Sequence, residues 1–249
     1  MVSGKYSALS GAVAREQTMA NIAANLANVN TTGYKKAKIS FESLLQGANQ
    51  IKEAKGINYS RVRDNFTEFS PGPVIETGNP LDVAIHGDGF FKVQGPDGVR
   101  YTRRGDFVLD QTGNLKTSTG QPVLDDGNGQ ITIPDATTNQ ISISSLGEIS
   151  VLGRDGSRSV VGTLGVVTVD DTSKLKREAD TSFSLEGGGQ ATALAEPTLA
   201  VGNLETSNVN MPEEMTMMID SLRTFETYHK VLKSYSDLSQ KQDELGSLA

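Results

Sequence analysis

The chain of 249 residues has no cysteine, no tryptophan and only two histidines. Without cysteine there are no disulfides, thiolate nucleophiles, zinc fingers or iron–sulfur clusters. His86 and His229 stand far apart and outside any H-E-x-x-H pairing, so metal-assisted hydrolysis lacks its ligands. The aromatics are eight Phe and six Tyr, a light complement that suits a turn-rich β protein better than an aromatic-lined ligand pocket. Basic residues are outnumbered, 23 Lys plus Arg against 30 Asp plus Glu, giving a net charge of −7. That balance argues against a general binder of nucleic acid or anionic membrane, both of which need net positive surface. No stretch approaches the roughly 18 apolar residues of a membrane span. The opening Met1-Val2-Ser3-Gly4-Lys5-Tyr6 has no apolar run, so neither a cleaved secretory signal nor an anchor is expected.

Chemistry-bearing motifs are equally scarce. Gly87-Asp88-Gly89 and Gly187-Gly188-Gly189 lack the spacing and the following helix of a phosphate-binding loop and read as turns. Asp125-Asp126-Gly127-Asn128-Gly129 opens like a calcium loop, but its sixth position is Gln130 and its twelfth Ala136, where Gly and a bidentate Glu are required. Asp82, Asp88 and Asp106 read as solvated turn acids, and Arg104-Gly105-Asp106 as a coincidence of three residues. The expectation is a protein that is not an enzyme, with no catalytic residue, cofactor, metal site, nucleic-acid partner or small-molecule substrate.

What is present is a chain whose ends differ from its middle. The 26 glycines concentrate turn signals at Gly95–Gly98, Asp110–Asn114, Asp125–Gly129 and Arg154–Ser157. Between them lie short β-branched runs: Phe90–Val93, Phe107–Leu109, Ile131–Ile133, Ile141–Ile143, Ile149–Leu152, Thr163–Val169 and Phe183–Leu185. Residues 72–204 therefore read as one antiparallel β domain, sandwich- or barrel-like. No helices alternate with the strands, which excludes a doubly wound nucleotide-binding fold. Residues 36–71 read as a connector with a short helix near Ser40–Gln46.

Residues 1–35 and 205–249 read as helices. Leu9, Ala12, Val13, Met19, Ile22, Ala23 and Leu26 fall at helical spacing, and the polar Asn28-Val29-Asn30-Thr31-Thr32-Gly33-Tyr34 ends the helix. At the other end Asn210 is placed to cap, with Pro212 in the first turn and Glu213 at the capping-box position. Met211, Met215, Met218, Leu222, Phe225, His229 and Leu232 then alternate spacings of four and three, the pattern of a coiled-coil seam. Tyr228, Val231, Tyr235, Leu238 and Leu245 form a second stripe beside it. Residues 1–40 carry five basic residues against one acidic, and residues 205–249 carry four against eight, so the ends attract each other. Two helices docked within a single globular domain would show the same periodicity.

The terminal blocks resemble a known family. Ser7–Ala12 and Asn25-Leu26-Ala27-Asn28-Val29-Asn30-Thr31-Thr32-Gly33-Tyr34-Lys35 are similar to the N-terminal signature of the bacterial flagellar rod and hook proteins. Thr77–Ile85, Gly89–Val93, Pro96–Gly98, Tyr101–Gly105 and Phe107 through Leu115 resemble its central block. Ser207-Asn208-Val209-Asn210, Glu213–Met215, Met218-Ile219 and Arg223–Glu226 resemble its C-terminal signature, while Asp237–Ala249 matches no block. The length is that of a rod subunit rather than the longer hook protein, and the short connector between Phe41 and Pro71 is closer to a proximal-rod than to a distal-rod member.

The resemblance implies an α+β subunit in which the terminal helices pair as a coiled-coil inner domain and the β domain lies outside. It implies helical stacking into a hollow rod that transmits torque, forms the export channel and crosses the periplasm; the alternatives are a distal-rod or hook-type axial subunit, or a secreted adhesin using the β domain. The partners would be other copies and other rod or hook proteins, and the flagellar type III export apparatus, which passes chains unfolded and without a cleaved signal peptide. The residues expected to carry assembly are Leu9, Val13, Asn25, Leu26, Asn28, Val29, Asn30, Thr31, Thr32 and Gly33, together with Ser207, Asn208, Val209, Met215, Met218, Leu222, Phe225 and Leu232. Leu26, Val29, Met215, Leu222, Phe225 and Leu232 are expected to lie between helices.

Overall fold

The fold is taken from a computed structural model that describes residues 2–46, 57–134, 140–153, 157–179, 181–194 and 196–246. The chain divides into two units, one of residues 1–27, 37–68 and 209–249, the other of residues 28–36 and 69–208.

The first unit holds α1 (Val2–Ala27), a hairpin of β1 (Ala37–Gln46) and β2 (Ile57–Thr67), and α2 (Met211–Gly246). Helix α1 stops where the polar, Gly-terminated segment begins. Helix α2 starts directly after Asn210, whose carbonyl accepts the Glu214 N–H at 3.0 Å, with Glu213 and Glu214 on its positive N-terminal turn. The helix expected near Ser40–Gln46 is instead strand β1. Its residues pair antiparallel with β2 from Ala37↔Thr67 to Gln46↔Ile57, through a bulge at Ser40/Phe41, and this ladder overrides the weak local helix preference. The turn of this hairpin, like most of Arg154–Ser157, lies outside the described residues. Both strands pack on α1, which also packs along α2. No described helix is long and apolar enough to cross a membrane.

The second unit is antiparallel β: β3 (Val74–Glu76), β4 (Val83–Ile85), β5 (Phe90–Gly95), β6 (Gly98–Thr102), β7 (Phe107–Leu109), β8 (Leu115–Thr117), β9 (Gln140–Ile143), β10 (Glu148–Leu152), β11 (Arg158–Thr163), β12 (Val166–Val169), β13 (Leu175–Arg177), β14 (Ser182–Leu185), β15 (Ala191–Ala193), β16 (Leu199–Val201) and β17 (Asn203–Glu205). A six-stranded sheet runs β13-β14-β6-β5-β12-β15, a three-stranded one β11-β10-β9, and the pairs β16-β4, β17-β3 and β7-β8 complete the unit. The expected run Thr163–Val169 is broken at Leu164-Gly165 between β11 and β12. Ile131–Ile133 contributes a bridge, Asn114↔Thr132, rather than a strand.

Side-chain alternation along β5 and β12 splits the hydrophobic residues between two faces. Phe91 and Val166 join Val83, Phe107, Leu115, Ile149 and Leu164 in one core, where the Phe91 and Phe107 rings meet edge to face at 5.1 Å. Phe90 and Val167 join Phe183, Leu175 and Phe69 in the other. The chain is thus α+β, mostly antiparallel strands with a helix near each end.

Candidate functional site

In the β unit the residue blocks singled out from the sequence converge on one buried carboxylate. Glu205, 2% exposed at the end of β17, accepts Lys35 Nζ at 2.6 Å and Gly72 N at 2.9 Å on Oε1, and Arg103 Nη1 at 3.3 Å on Oε2. Lys35 is 1% exposed and donates also to Ser70 O at 2.8 Å. Arg103 donates from Nη2 to Gly87 O at 2.7 Å, and its guanidinium lies 5.4 Å from the Phe90 ring centroid. Burial pulls both cations below their ordinary pKa values, and Glu205 opposes that pull in each. One carboxylate shared by two desolvated cations is held by geometry, not by a surplus of attraction, because desolvation consumes most of the Coulomb gain.

The backbone around this cluster is tied just as closely. Gly33 has φ +65° and donates its N–H to Glu205 O at 2.9 Å, and a Cβ there would stand 2.5 Å from Arg104 N, so both conformation and space demand glycine. Asn208 accepts Lys36 N at 2.7 Å and donates to Ser70 O at 3.1 Å. Arg177 donates to Lys35 O and stacks 4.5 Å over Tyr34. Asn28 O accepts Thr31 N at 3.1 Å and Thr31 O accepts Tyr34 N at 3.2 Å, two successive turns that lead into the cluster. Of the expected residues in this unit, Gly33 and Ser207 are buried, Asn28, Val29, Thr31, Thr32 and Asn208 half-buried, and Asn30 exposed.

In the helical unit, Asn25 is 1% exposed at the end of α1. Its amide brackets the start of β1, donating to Ala37 O and accepting Ala37 N, each at 2.9 Å. The same Nδ2 donates to Glu214 Oε2 of α2 at 3.3 Å, and Glu214 is fully buried. Further along the pair, Tyr228 occupies the space over Gly11 and Tyr235 that over Gly4; a Cβ on Gly11 would meet the Tyr228 ring at 2.6 Å, and one on Gly4 the Tyr235 hydroxyl at 2.6 Å. The face of α2 turned to the interior therefore carries Glu214, Ser221, Tyr228 and Tyr235, one heptad apart, with Met218, Phe225 and Leu232 half-buried between them.

The expected seam lies partly elsewhere in the single chain. Met218, Phe225 and Leu232 flank the inner face, but Met215 and Leu222 are 53% and 49% exposed, beside Met211 and Ile219. On α1, Leu9 and Val13 are 47% and 43% exposed while Ala8, Ala12 and Ile22 are buried; Leu26 is half-buried and Val209 buried. The physical reason is size. Gly4, Ala8 and Gly11 leave a shallow channel that tyrosine rings fill, which rotates the larger aliphatics of both helices outward. Lys35, Arg103, Glu205 and Glu214 were not among the expected residues. Lys35 and Arg103 stand inside the quoted blocks, and the heptad-spaced pairs Gly4/Gly11 and Tyr228/Tyr235 are legible signals; nothing local marks Glu205 as buried.

In the β cluster Glu205 pairs with both Lys35 and Arg103, while Arg103 Nε is buried with no hydrogen-bond partner among the described residues. A groove of the helical unit is lined by Gln17, Ala20, Asn21, Ile39 and Asn65, none of them titratable. In the Asp125–Gly129 turn, Gly129 N donates to Asp125 Oδ1, and Lys92 Nζ donates to Asp126 O and Asn128 Oδ1, so an ammonium group already engages the oxygens a loop cation would seek. Among the described residues no group of three or more His, Cys, Asp or Glu is placed to hold a metal ion.

Three family models match the chain in order: the flagella basal body rod protein model over residues 6–35, the flagellar hook protein FlgE/F/G D1 domain over 84–151, and the flagellar basal body rod FlgEFG protein C-terminal model over 200–245. The chain is 35% identical over 252 residues to the flagellar basal-body rod protein FlgF of Caulobacter vibrioides, covering 96% of each. It is 31% identical over 262 residues to the flagellar basal-body rod protein FlgG of Bacillus subtilis, covering 97% of this chain and 98% of that one. To FlgG of Buchnera aphidicola subsp. Schizaphis graminum it is 33% identical, covering 98% of this chain and all of that one.

Proposed function

Because the chain belongs to the flagellar basal-body rod protein family, and is a structural axial subunit of that rod, we propose that it is of the FlgF type and builds the proximal rod through the outward faces of its two helices. In this reading α1 and α2 pair as a coiled coil and form the inner layer of a helical stack that transmits torque and encloses the export channel. Residues 72–204 form the β domain and residues 36–71 the connector. The subunit reaches the periplasm unfolded, through the type III apparatus.

The observation that carries the reading is the pair of apolar stripes left in water. Met211, Met215, Ile219 and Leu222 line one side of α2, and Tyr6, Leu9 and Val13 one side of α1. Contiguous exposed apolar surface of this kind marks an interaction site, and a patch that meets a different patch on the next subunit generates a filament instead of a closed ring.

The test is Leu222→Asp expressed from the native locus, with motility scored and basal bodies imaged by electron microscopy. Loss of motility with membrane rings but an incomplete rod is expected; normal rods with that charge in the stripe would sink the assembly role. The near-equal similarity to FlgG relatives favours one alternative, a distal-rod position. A gene deletion separates the two: a rod halted at its base fits the proximal assignment, and a rod truncated below the hook fits the distal one.

A further inference from the structure

The inner layers of the helix pair repeat every heptad, so that the glycine–tyrosine contacts taken by themselves leave its alignment underdetermined. Tyr235 packs over Gly4, Tyr228 over Gly11, and Glu214 meets Asn25. The residue numbers in each antiparallel pair add to the same total, 239, and the same rule sets Thr18 opposite Ser221. Both helices thus place these layers seven residues apart, one heptad each.

The glycine–tyrosine layers do not fix this alignment. A slip of one heptad sets Gly11 under Tyr235 or Gly4 under Tyr228, again a ring over a glycine, and Thr18 and Ser221 are small enough to face any of these partners. The outer stripes impose nothing, since they face away. The layer that does not repeat is Asn25–Glu214. No second Asn or acidic residue stands a heptad away at the corresponding positions Thr18, Thr32, Ser207 and Ser221. Asn25 is itself fixed by its two bonds to Ala37, so the amide facing Glu214 cannot follow a sliding helix. A buried polar pair of this kind lowers stability but penalises every register in which it is separated, because a desolvated carboxylate without its donor is far worse than an apolar layer.

We propose that the buried Asn25–Glu214 contact is the register determinant of the helix pair. It selects one of several heptad-related alignments and so fixes where the α1 stripe of Leu9 and Val13 stands relative to the α2 stripe of Met215 and Leu222. The alignment is a property of the single chain; its consequence for rod building rests on the assembly reading above.

The chain's lack of cysteine makes the test direct. Two reporters are made in the full-length protein, Thr18→Cys/Ser221→Cys for the observed register and Thr18→Cys/Tyr228→Cys for the slipped one. Each is treated at high dilution with a bis-maleimide shorter than the roughly 10 Å that one heptad spans along a helix. With Glu214 present, the first reporter is expected to cross-link on the order of tenfold more than the second, within single chains. Glu214→Leu, which leaves the Asn25 bonds to Ala37 intact, is expected to bring the ratio to within about twofold, and Glu214→Gln to preserve it because an amide still pairs with Asn25. Should helical circular dichroism be lost in Glu214→Leu, Glu214→Ala carries the same comparison. An unchanged ratio in the apolar variant, or cross-links confined to dimers, overturns the proposal. Motility is read separately, so that Leu222→Asp rods built normally would remove the assembly reading while leaving the register result standing.

Discussion

The β unit and the helical unit bury very different things. The β unit packs Phe90, Phe91, Phe107, Phe183 and more than a dozen aliphatic side chains on the two faces of its central sheet. The helical unit buries Ala8, Ala12, Ala14, Ile22 and Val209 alongside Asn25, Glu214 and Ser221, and leaves Leu9, Val13, Met215, Ile219 and Leu222 largely in water. Hydrophobic burial is the main driving term of folding, and the β unit has its large apolar side chains inside. The helical unit leaves its largest aliphatics exposed in the single chain. A helix pair whose inner seam is glycine, alanine, tyrosine and one polar contact draws little stability from itself, and isolated helices depend on packing rather than propensity. The contrast teaches that the two units differ less in how apolar they are than in where their large aliphatics lie, inside the β unit and on the outside of the helix pair.

That comparison can be broken most forcefully at Glu205. Glu205→Ala leaves Lys35 and Arg103 buried without their shared carboxylate and is expected to destabilise the β unit by about 3–5 kcal/mol. Urea unfolding followed through the strand signal measures it; a loss below about 1 kcal/mol would mean the cluster is not desolvated as described. The same truncation placed in each unit sharpens the contrast. Phe91→Ala should lower stability by about 3–5 kcal/mol, whereas Leu222→Ala, on the exposed stripe, should change the single chain by less than about 0.5 kcal/mol. Comparable losses at the two positions would show that the outer stripe is already packed in the monomer.

The smallest effect concerns pH. Asp110 accepts from Lys116, Thr112 and Asn114, which holds its carboxyl well below the ordinary value of 3.8. A carboxylate more acidic in the folded than in the unfolded chain contributes stability above the unfolded pKa, and that stability is lost as pH falls through and below 3.8. Asp110→Asn should therefore flatten the decline in urea midpoint between about pH 5 and pH 3, by no more than one proton's worth of slope. An unaltered acid limb would assign the decline to other carboxylates.

Much of the fold was legible before any coordinates. The strand runs at Phe107–Leu109 and Ile149–Leu152, the end of α1 at the polar segment after Ala27, and the start of α2 directly after Asn210 follow from alternation, turn chemistry and helix-start signals, all of which are local. The helix expected near Ser40–Gln46 is a strand because its identity comes from pairing with residues more than ten positions away. In the single chain the inner face of α2 carries Glu214, Ser221 and Tyr228, which hydrophobicity alone ranks below the exposed Met215 and Leu222. In the site, Gly33, Asn25 and Asn208 were recognisable as members of terminal blocks, but their partners were not.

The sequence by itself determined the class of molecule: a β middle, helical ends of opposite charge, and family blocks in order along the chain. Those features are written in residue type and short-range spacing, where propensity and periodicity act. Only the tertiary structure decided that Lys35, Arg103 and Glu205, up to 170 residues apart, share one desolvated site, and that Asn25 meets Glu214 rather than another residue of the same face. Such pairings depend on which distant surfaces exclude water together, and desolvation is a property of the assembled volume that no stretch of sequence carries alone.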